Sequence, residues 1–445
     1  MTTRVRAAFS LLAALGLGAC SSQHAPASAP GALLPLVGAR AAAAKPSGKI
    51  THVVIVIQEN RSFDDLFQGY PGADTVPSGQ NSMGQTIPLA PVSLATSYTI
   101  DHSAAAFLAA CDGKPRGQNC VMDGFDKERS YNGPPNPQYV YVPHAESKPY
   151  FDIAKEFVLS DRTFTSQIDE SFVAHQYLIA GQASSSVDLP ATSAWGCGDG
   201  KTDTIQTLLR DRNYGPSELP CFNNQTLGDE LDDAGLTWRF YTSTIDGNGG
   251  EWSGYQAIRH IRDGPDWAKD VITPQTRFLT DIASGTLENV TWITPICKNS
   301  DHVGCGGKMG PHWVATLVNA VGESQFWDST AVFVIWDDWG GVYDHVPPPY
   351  ADYDGLGIRV PMLVVSAYAK KNFVSHVQYE TSSILRFAED QFGLARLAAS
   401  DRRATSPQKD CFDFSRPPRA FVPIPSVGRA FFLQQQDDHR PPDDQ

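Results

Sequence analysis

The chain has 445 residues, of which 41% are hydrophobic and 19% charged, and its formal net charge is −14. That length and apolar content supply a sizeable core and exclude a disordered or coiled-coil chain. The acidity excludes a general nucleic-acid binder, which needs a basic face, and any anionic ligand would need a local positive centre such as a metal ion.

In chain order, residues 1–20 read as a targeting segment. Arg4 and Arg6 precede an apolar run, Ala7–Ala19, that is too short to span a bilayer and ends at Cys20. Small residues before that cysteine resemble a lipobox, with Cys20 lipidated and the chain held in the bacterial envelope, at the outer membrane or facing the periplasm. An ordinary secretory signal is the other reading. Residues 21–48, rich in Ala, Pro, Ser and Gly, read as a flexible tether, and 49–433 as one domain. His52–Ile57 is a continuous apolar run, as expected of a strand buried on both faces. Leu236–Tyr241, Val290–Thr294, Ala331–Trp336 and Val360–Val365 read as further strands. Helical patterns cover Ser147–Glu156, Ser171–Gly181, Thr204–Arg212, His312–Gly322 and Thr381–Phe392. This alternation predicts an α/β domain with a mainly parallel central sheet flanked by helices. Residues 76–145 and 185–225, rich in turn formers, read as long loop insertions that wall a pocket, and 434–445 as a disordered tail. Without Cys20, seven cysteines remain; Cys111 with Cys120, Cys197 with Cys221 and Cys297 with Cys305 fit local disulfides in an oxidising compartment, leaving Cys411 over.

Two of the buried runs end in polar clusters. Glu59-Asn60 follows the first and Asp337-Asp338 the strand at 331–336, so both fall at strand ends where parallel sheets bind ligands. Their side chains are hard oxygen donors for a divalent cation, and adjacent carboxylates repel without one. Taken one at a time, a strand-end turn or a helix cap explains each cluster equally well. The metal's identity stays open among Ca, Mg, Mn and Zn.

The stretch Gln58-Glu59-Asn60-Arg61-Ser62-Phe63-Asp64 resembles the opening motif of the bacterial phospholipase C/acid phosphatase phosphoesterase family. Trp336 to Pro349 resembles its second signature, Ser160–Phe164 with Ser171–Gly181 its nucleophile segment, and Ser375–Arg386 a fourth region. The resemblance implies an alkaline-phosphatase-like fold and metal-dependent hydrolysis of phosphoric esters, phospholipid or soluble monoester, through a serine phosphoenzyme. It implies Glu59, Asn60, Asp337, Asp338 and Ser171 as metal ligands and Ser171 as nucleophile. His102 and Asp123 match a region lining the site; His302, which follows a probable strand, is a further candidate to steady or protonate phosphoryl oxygens, with Asp301 a further candidate ligand. Many relatives have Gly-Pro where this chain has Asp169-Glu170, acids placed to repel a phosphate, and Thr165 or Ser166 is the fallback nucleophile. A non-catalytic surface binding protein that keeps the fold is the alternative. The oligomeric state is not legible.

Overall fold

Continuous apolar runs have no polar face to give to water, so they pair side by side and are covered from both sides. Among the described residues eight strands do this, in the order β4-β3-β5-β1-β6-β7-β2-β8. They are β1 (His52–Gln58), β2 (Val158–Ser160), β3 (Trp238–Tyr241), β4 (Val271–Ile272), β5 (Val290–Ile293), β6 (Thr330–Trp336), β7 (Met362–Ser366) and β8 (Phe373–Ser375). Only β7 runs antiparallel to its two neighbours, β6 and β2. This computed structural model describes residues 48–191, 195–198, 203–243, 251–436 and 438. The targeting segment, Cys20 and all but the end of the tether lie outside them, as does most of the tail. Gln435 exchanges two hydrogen bonds, at 2.8 and 3.1 Å, with the side chain of Asn299.

The register fixes the site. β1 and β6 are parallel neighbours with Gln58 opposite Trp336, so Glu59-Asn60 and Asp337-Asp338 leave the same edge side by side. Every residue of β6 is buried. The helices that matter are α1 (Phe63–Phe67), α2 (Ala104–Cys111), α3 (His144–Glu156), α4 (Ser171–Ala180), α5 (Gly310–Gly322) and α6 (Ser383–Phe392). All ten residues of α4 are buried, so its polar side chains must find partners inside the protein. It ends at Gly181, whose φ of +64° supplies the left-handed cap.

One expected helix is a strand. Thr204–Arg212 forms strand Ile205–Leu208 followed by a turn, and pairs antiparallel with Ser186–Val187 and Tyr214–Glu218. The apolar pair Ile205 and Leu208, which reads as a helical spacing, is buried in two different clusters on this small sheet; pairing with two strands outweighs local pattern. The three local disulfides form as expected, and Cys411 is free and buried.

Candidate active site

Asn60 organises the site. It turns in the left-handed region, φ 49°, a conformation asparagine tolerates better than most residues. Its backbone N–H then donates to Asp337 Oδ1 at 3.0 Å. Its Nδ2 lies 3.0 Å from Ser171 Oγ, 2.9 Å from Asp338 Oδ2 and 3.0 Å from His102 Nε2. Ser171 Oγ in turn donates to Asp338 Oδ2 at 3.3 Å. The turn at 337–341 is held by Gly340, which has a φ of +64° and whose N–H donates to Asp338 Oδ1 at 2.8 Å.

Ser171 opens α4, and His175 follows one turn later on the same face. His175 Nε2 lies 3.2 Å from Glu59 Oε1 and 3.7 Å from Asp337 Oδ2. One ligand atom each from Glu59, His175 and Asp337 fall within 4.8 Å of one another. Sequence reasoning left His175 undecided between a structural and a functional histidine and did not place it among the ligands. The available signal was its i+4 spacing from Ser171.

A divalent cation fits these residues. Asn60 Oδ1 and Asp337 Oδ2 are buried without a hydrogen-bond partner, and an unpaired buried oxygen is costly unless something positive meets it. Oxygen donors with one imidazole suit a hard or borderline cation.

Two further histidines have their tautomers set by the backbone. His102 Nδ1 donates to the Ile100 carbonyl at 2.9 Å, leaving Nε2 as the acceptor from Asn60. Glu170 Oε2 and Asp338 Oδ2 each lie 3.9 Å from that Nε2. His302 Nδ1 accepts from Gly304 N–H at 2.9 Å, which puts its proton on Nε2. The His102 and His302 rings are 6.0 Å apart. The Cys297–Cys305 disulfide closes the loop that carries His302, and Gln58 pins that loop through Asn299 O at 2.9 Å and Asp301 N at 3.1 Å.

Other candidates lie elsewhere. Asp301 Oδ2 accepts from Tyr150 OH at 2.7 Å and Trp336 Nε1 at 3.1 Å, and burial pushes its carboxyl up to about 6; it braces the frame. Asp123 follows Met122 in the aromatic cluster of Phe125, Tyr139 and Tyr343; its Oδ1 is buried without a partner, and among the described residues no hydrogen bond joins it to Ser171 or His102. Thr165 Oγ1 donates to the Gln167 carbonyl at 2.6 Å, and Ser166 Oγ accepts from Ser382 N at 2.9 Å, so both hydroxyls brace the chain. His345 bridges Asp64 at 2.6 Å and Asp74 at 3.1 Å, with Arg359 on Asp64 and Asp344. That second acidic group therefore has its cation built in.

The Asp169-Glu170 departure has a physical answer. Asp169 Oδ1 accepts from Glu170 N at 2.9 Å and Asp188 N at 3.0 Å. Burial, then the field of Asp188, pushes the Asp169 carboxyl well above the usual range, which mutes its charge. Asp188 Oδ1 accepts from Ala104 N at 3.0 Å and Tyr214 OH at 3.1 Å.

The Phosphoesterase family profile matches residues 50–395, and the chain belongs to that family. It is 26% identical to "Phospholipase C B" of Mycobacterium tuberculosis, covering 84% of this chain and 80% of that protein. It is 26% identical to "Non-hemolytic phospholipase C" of Pseudomonas aeruginosa, over 86% of this chain and 60% of that one. "Non-specific phospholipase C6" of Arabidopsis thaliana is 25% identical over 81% and 74%. Among solved structures, an alkaline phosphatase superfamily protein from Vibrio parahaemolyticus overlaps 82% of this chain and 74% of its own, with a TM-score of 0.39 and 11% identity. The fold is mixed α/β with a large, mainly parallel sheet, and the protein is a hydrolase acting on phosphoester bonds.

Proposed function

We propose that this member of the Phosphoesterase family cleaves phosphoric esters, phospholipids among them, with Ser171 as nucleophile and a divalent cation held by Glu59, Asn60, His175, Asp337 and Asp338. One observation carries the reading: a single amide nitrogen, Asn60 Nδ2, lies within 3.0 Å of the serine hydroxyl, an Asp338 carboxylate and an imidazole. A serine held only as a helix cap needs none of these partners. The cation, when bound, would neutralise the clustered carboxylates and phosphate oxygens and favour the ionised hydroxyl.

The chain's own groups do the rest. The Ser171 proton leaves toward Asp338 Oδ2, 3.3 Å away, and Oγ forms a bond to phosphorus. The bond from phosphorus to the leaving oxygen breaks, and that oxygen takes a proton from a water molecule while His302 Nε2–H donates a hydrogen bond to it. The hydroxide so formed attacks the phosphoserine and releases the phosphoryl group as phosphate, while Ser171 recovers its proton from Asp338. His102 holds Asn60 in place through Nε2, and the N-terminus of α4 favours the phosphate's charge.

The reading includes an exported chain anchored in the bacterial envelope through a lipidated Cys20, which brings the site to a membrane surface. Labelling with radioactive fatty acid tests that part: no incorporation, or incorporation that survives Cys20→Ala, rules it out. For the site, phosphatidylcholine, p-nitrophenyl phosphate and p-nitrophenyl phosphorylcholine are assayed with divalent metals supplied. Acid-quenched turnover should leave a phosphoryl adduct on the peptide containing Ser171. Ser171→Ala should lose at least about a thousandfold in kcat with an unchanged melting curve. Substantial residual turnover would refute the nucleophile.

A further inference from the structure

Several of the most exposed large apolar side chains form a connected group. Met83 is 72% exposed, Val121 62%, Leu209 43% and Tyr350 45%. They sit on four separate loops, and the loops are fastened to one another. Next to Met83, Ser82 N and Oγ donate to Asp126 at 2.9 and 2.7 Å. The adjacent Lys127 pairs with Asp112 at 2.8 Å, beside the Cys111–Cys120 disulfide that Val121 follows. From that disulfide loop, Arg116 Nε donates to the Arg212 carbonyl at 2.6 Å, and the Gly117 carbonyl accepts from Arg212 Nη1. Arg212 closes the turn bearing Leu209, its N–H donating to Leu209 O at 2.8 Å. Its guanidinium lies 4.8 Å from the centre of the Tyr350 ring.

This rim borders the site. His102 stands just before Ser103, the N-cap of α2, and Cys111 ends that helix. Eight residues of helix rise about 12 Å, so the rim stands about one short helix away from the site. Tyr214, on the strand that follows the Leu209 turn, donates to Asp188, which is bonded to Asp169 two residues before Ser171. The rim also carries three cations free of salt bridges in an acidic protein. Lys114, Arg116 and Arg210 are exposed, and none of them enters a salt bridge among the described residues. The carboxylates beside them are already engaged: Asp112 pairs with Lys127, Asp126 accepts two hydrogen bonds from Ser82, and Asp211 accepts two from Asn213.

Exposed apolar groups on loops bonded to one another, with unpaired cations among them, match the interface of a bilayer with anionic headgroups. We infer that this rim docks the protein on such a phospholipid surface. Met83, Val121, Leu209 and Tyr350 enter the interface, and Lys114, Arg116 and Arg210 meet headgroup phosphates. This rests on, and deepens, the reading of the site as a phospholipid hydrolase, since a soluble ester reaches Ser171 without it.

The test uses the compact unit Ala41–Gln445, in which the buried core, among the described residues, begins at Ile50, so that the N-terminal segment supplies no membrane affinity. It is compared with Met83→Ser/Val121→Ser/Leu209→Ser, and separately with Lys114→Glu/Arg210→Glu. Readouts are cosedimentation with phosphatidylcholine vesicles with and without phosphatidylglycerol, at low and high salt, and turnover of soluble p-nitrophenyl phosphorylcholine. Each apolar side chain moved into lipid is worth about tenfold in partition, so the triple variant should bind anionic vesicles at least about tenfold more weakly. The charge variant should lose the preference for phosphatidylglycerol. Soluble turnover should match the parent in both. A parent that does not sediment with anionic vesicles, or variants that sediment as the parent does, overturns the docking surface. Failure of every protein to cleave any ester removes the hydrolase reading instead, and cosedimentation still judges the rim.

Discussion

Gly340 and Gly393 both hold left-handed backbone, at φ +64° and +68°, but only one of them touches the site. A Cβ on Gly340 would meet Asn60 O at 2.3 Å and Asn60 Cβ at 2.9 Å, whereas a Cβ on Gly393 would meet nothing within 4 Å. Gly393→Ala therefore costs only the left-handed penalty, about 1–2 kcal/mol. Gly340→Ala adds to it a displacement of Asn60 by about 1 Å to restore ordinary contact, with strain of about 1–3 kcal/mol. Asn60 touches Ser171, Asp338 and His102 through one nitrogen, and a 1 Å misplacement of catalytic groups costs on the order of a hundredfold in rate. The assay pairs urea denaturation with kcat/KM on a soluble p-nitrophenyl ester. Gly340→Ala should lose about a hundredfold in kcat/KM and about 2–4 kcal/mol in stability. Gly393→Ala should lose stability alone. If Gly340→Ala keeps kcat/KM within about twofold of the parent, or if Gly393→Ala loses activity equally, Asn60 is not the organiser described above.

Asp337→Asn and His175→Ala should each lower the divalent metal retained after gel filtration, measured by plasma mass spectrometry; unchanged content would exclude them as ligands. Asp354 accepts from Tyr177 OH while its Oδ1 is buried without a partner, and burial pushes its carboxyl from 3.8 up to about 6. A raised folded value favours the neutral acid, so that stabilisation is full below about pH 4 and is lost as pH rises through about 6. Asp354→Asn, neutral throughout, should gain on the parent between pH 4 and pH 8 by on the order of 2–3 kcal/mol; parallel stability profiles would contradict this. Cys297→Ser/Cys305→Ser opens the loop that carries His302, and should cost about 2 kcal/mol in stability and about tenfold in kcat, with metal content unchanged; full kcat would show that the loop needs no clamp.

The sheet was legible because runs such as His52–Ile57 and Ala331–Trp336 admit few alternatives to a buried strand. The clustering of Glu59-Asn60 with Asp337-Asp338 was legible because parallel neighbours end at a common edge. Two other features were not. His175 looked like any helical histidine until the helix was set against Glu59, a contact more than a hundred residues apart in sequence. Thr204–Arg212 shows helical spacing locally, and only its partners at 186–187 and 214–218 make it a strand. The Asp169-Glu170 pair was read as a source of repulsion because sequence does not show burial, which holds the Asp169 carboxyl toward its neutral form.

Ser171 and His175 share one fully buried helix, and the remaining candidate ligands, Glu59, Asn60, Asp337 and Asp338, follow the ends of two central strands. The spacing of Ser171, His175 and the strand-end acids is therefore written into regular backbone, while His102 and Asp188 reach the site from the insertions at 76–145 and 185–225. Variation can act on the two parts separately. Exchanging loop residues other than these two changes which esters and which surfaces are admitted, while the chemistry beneath is left intact. Transplanting residues 189–225 from a relative, with Asp188 kept, is accordingly a route to altered substrate range that does not require rebuilding the centre.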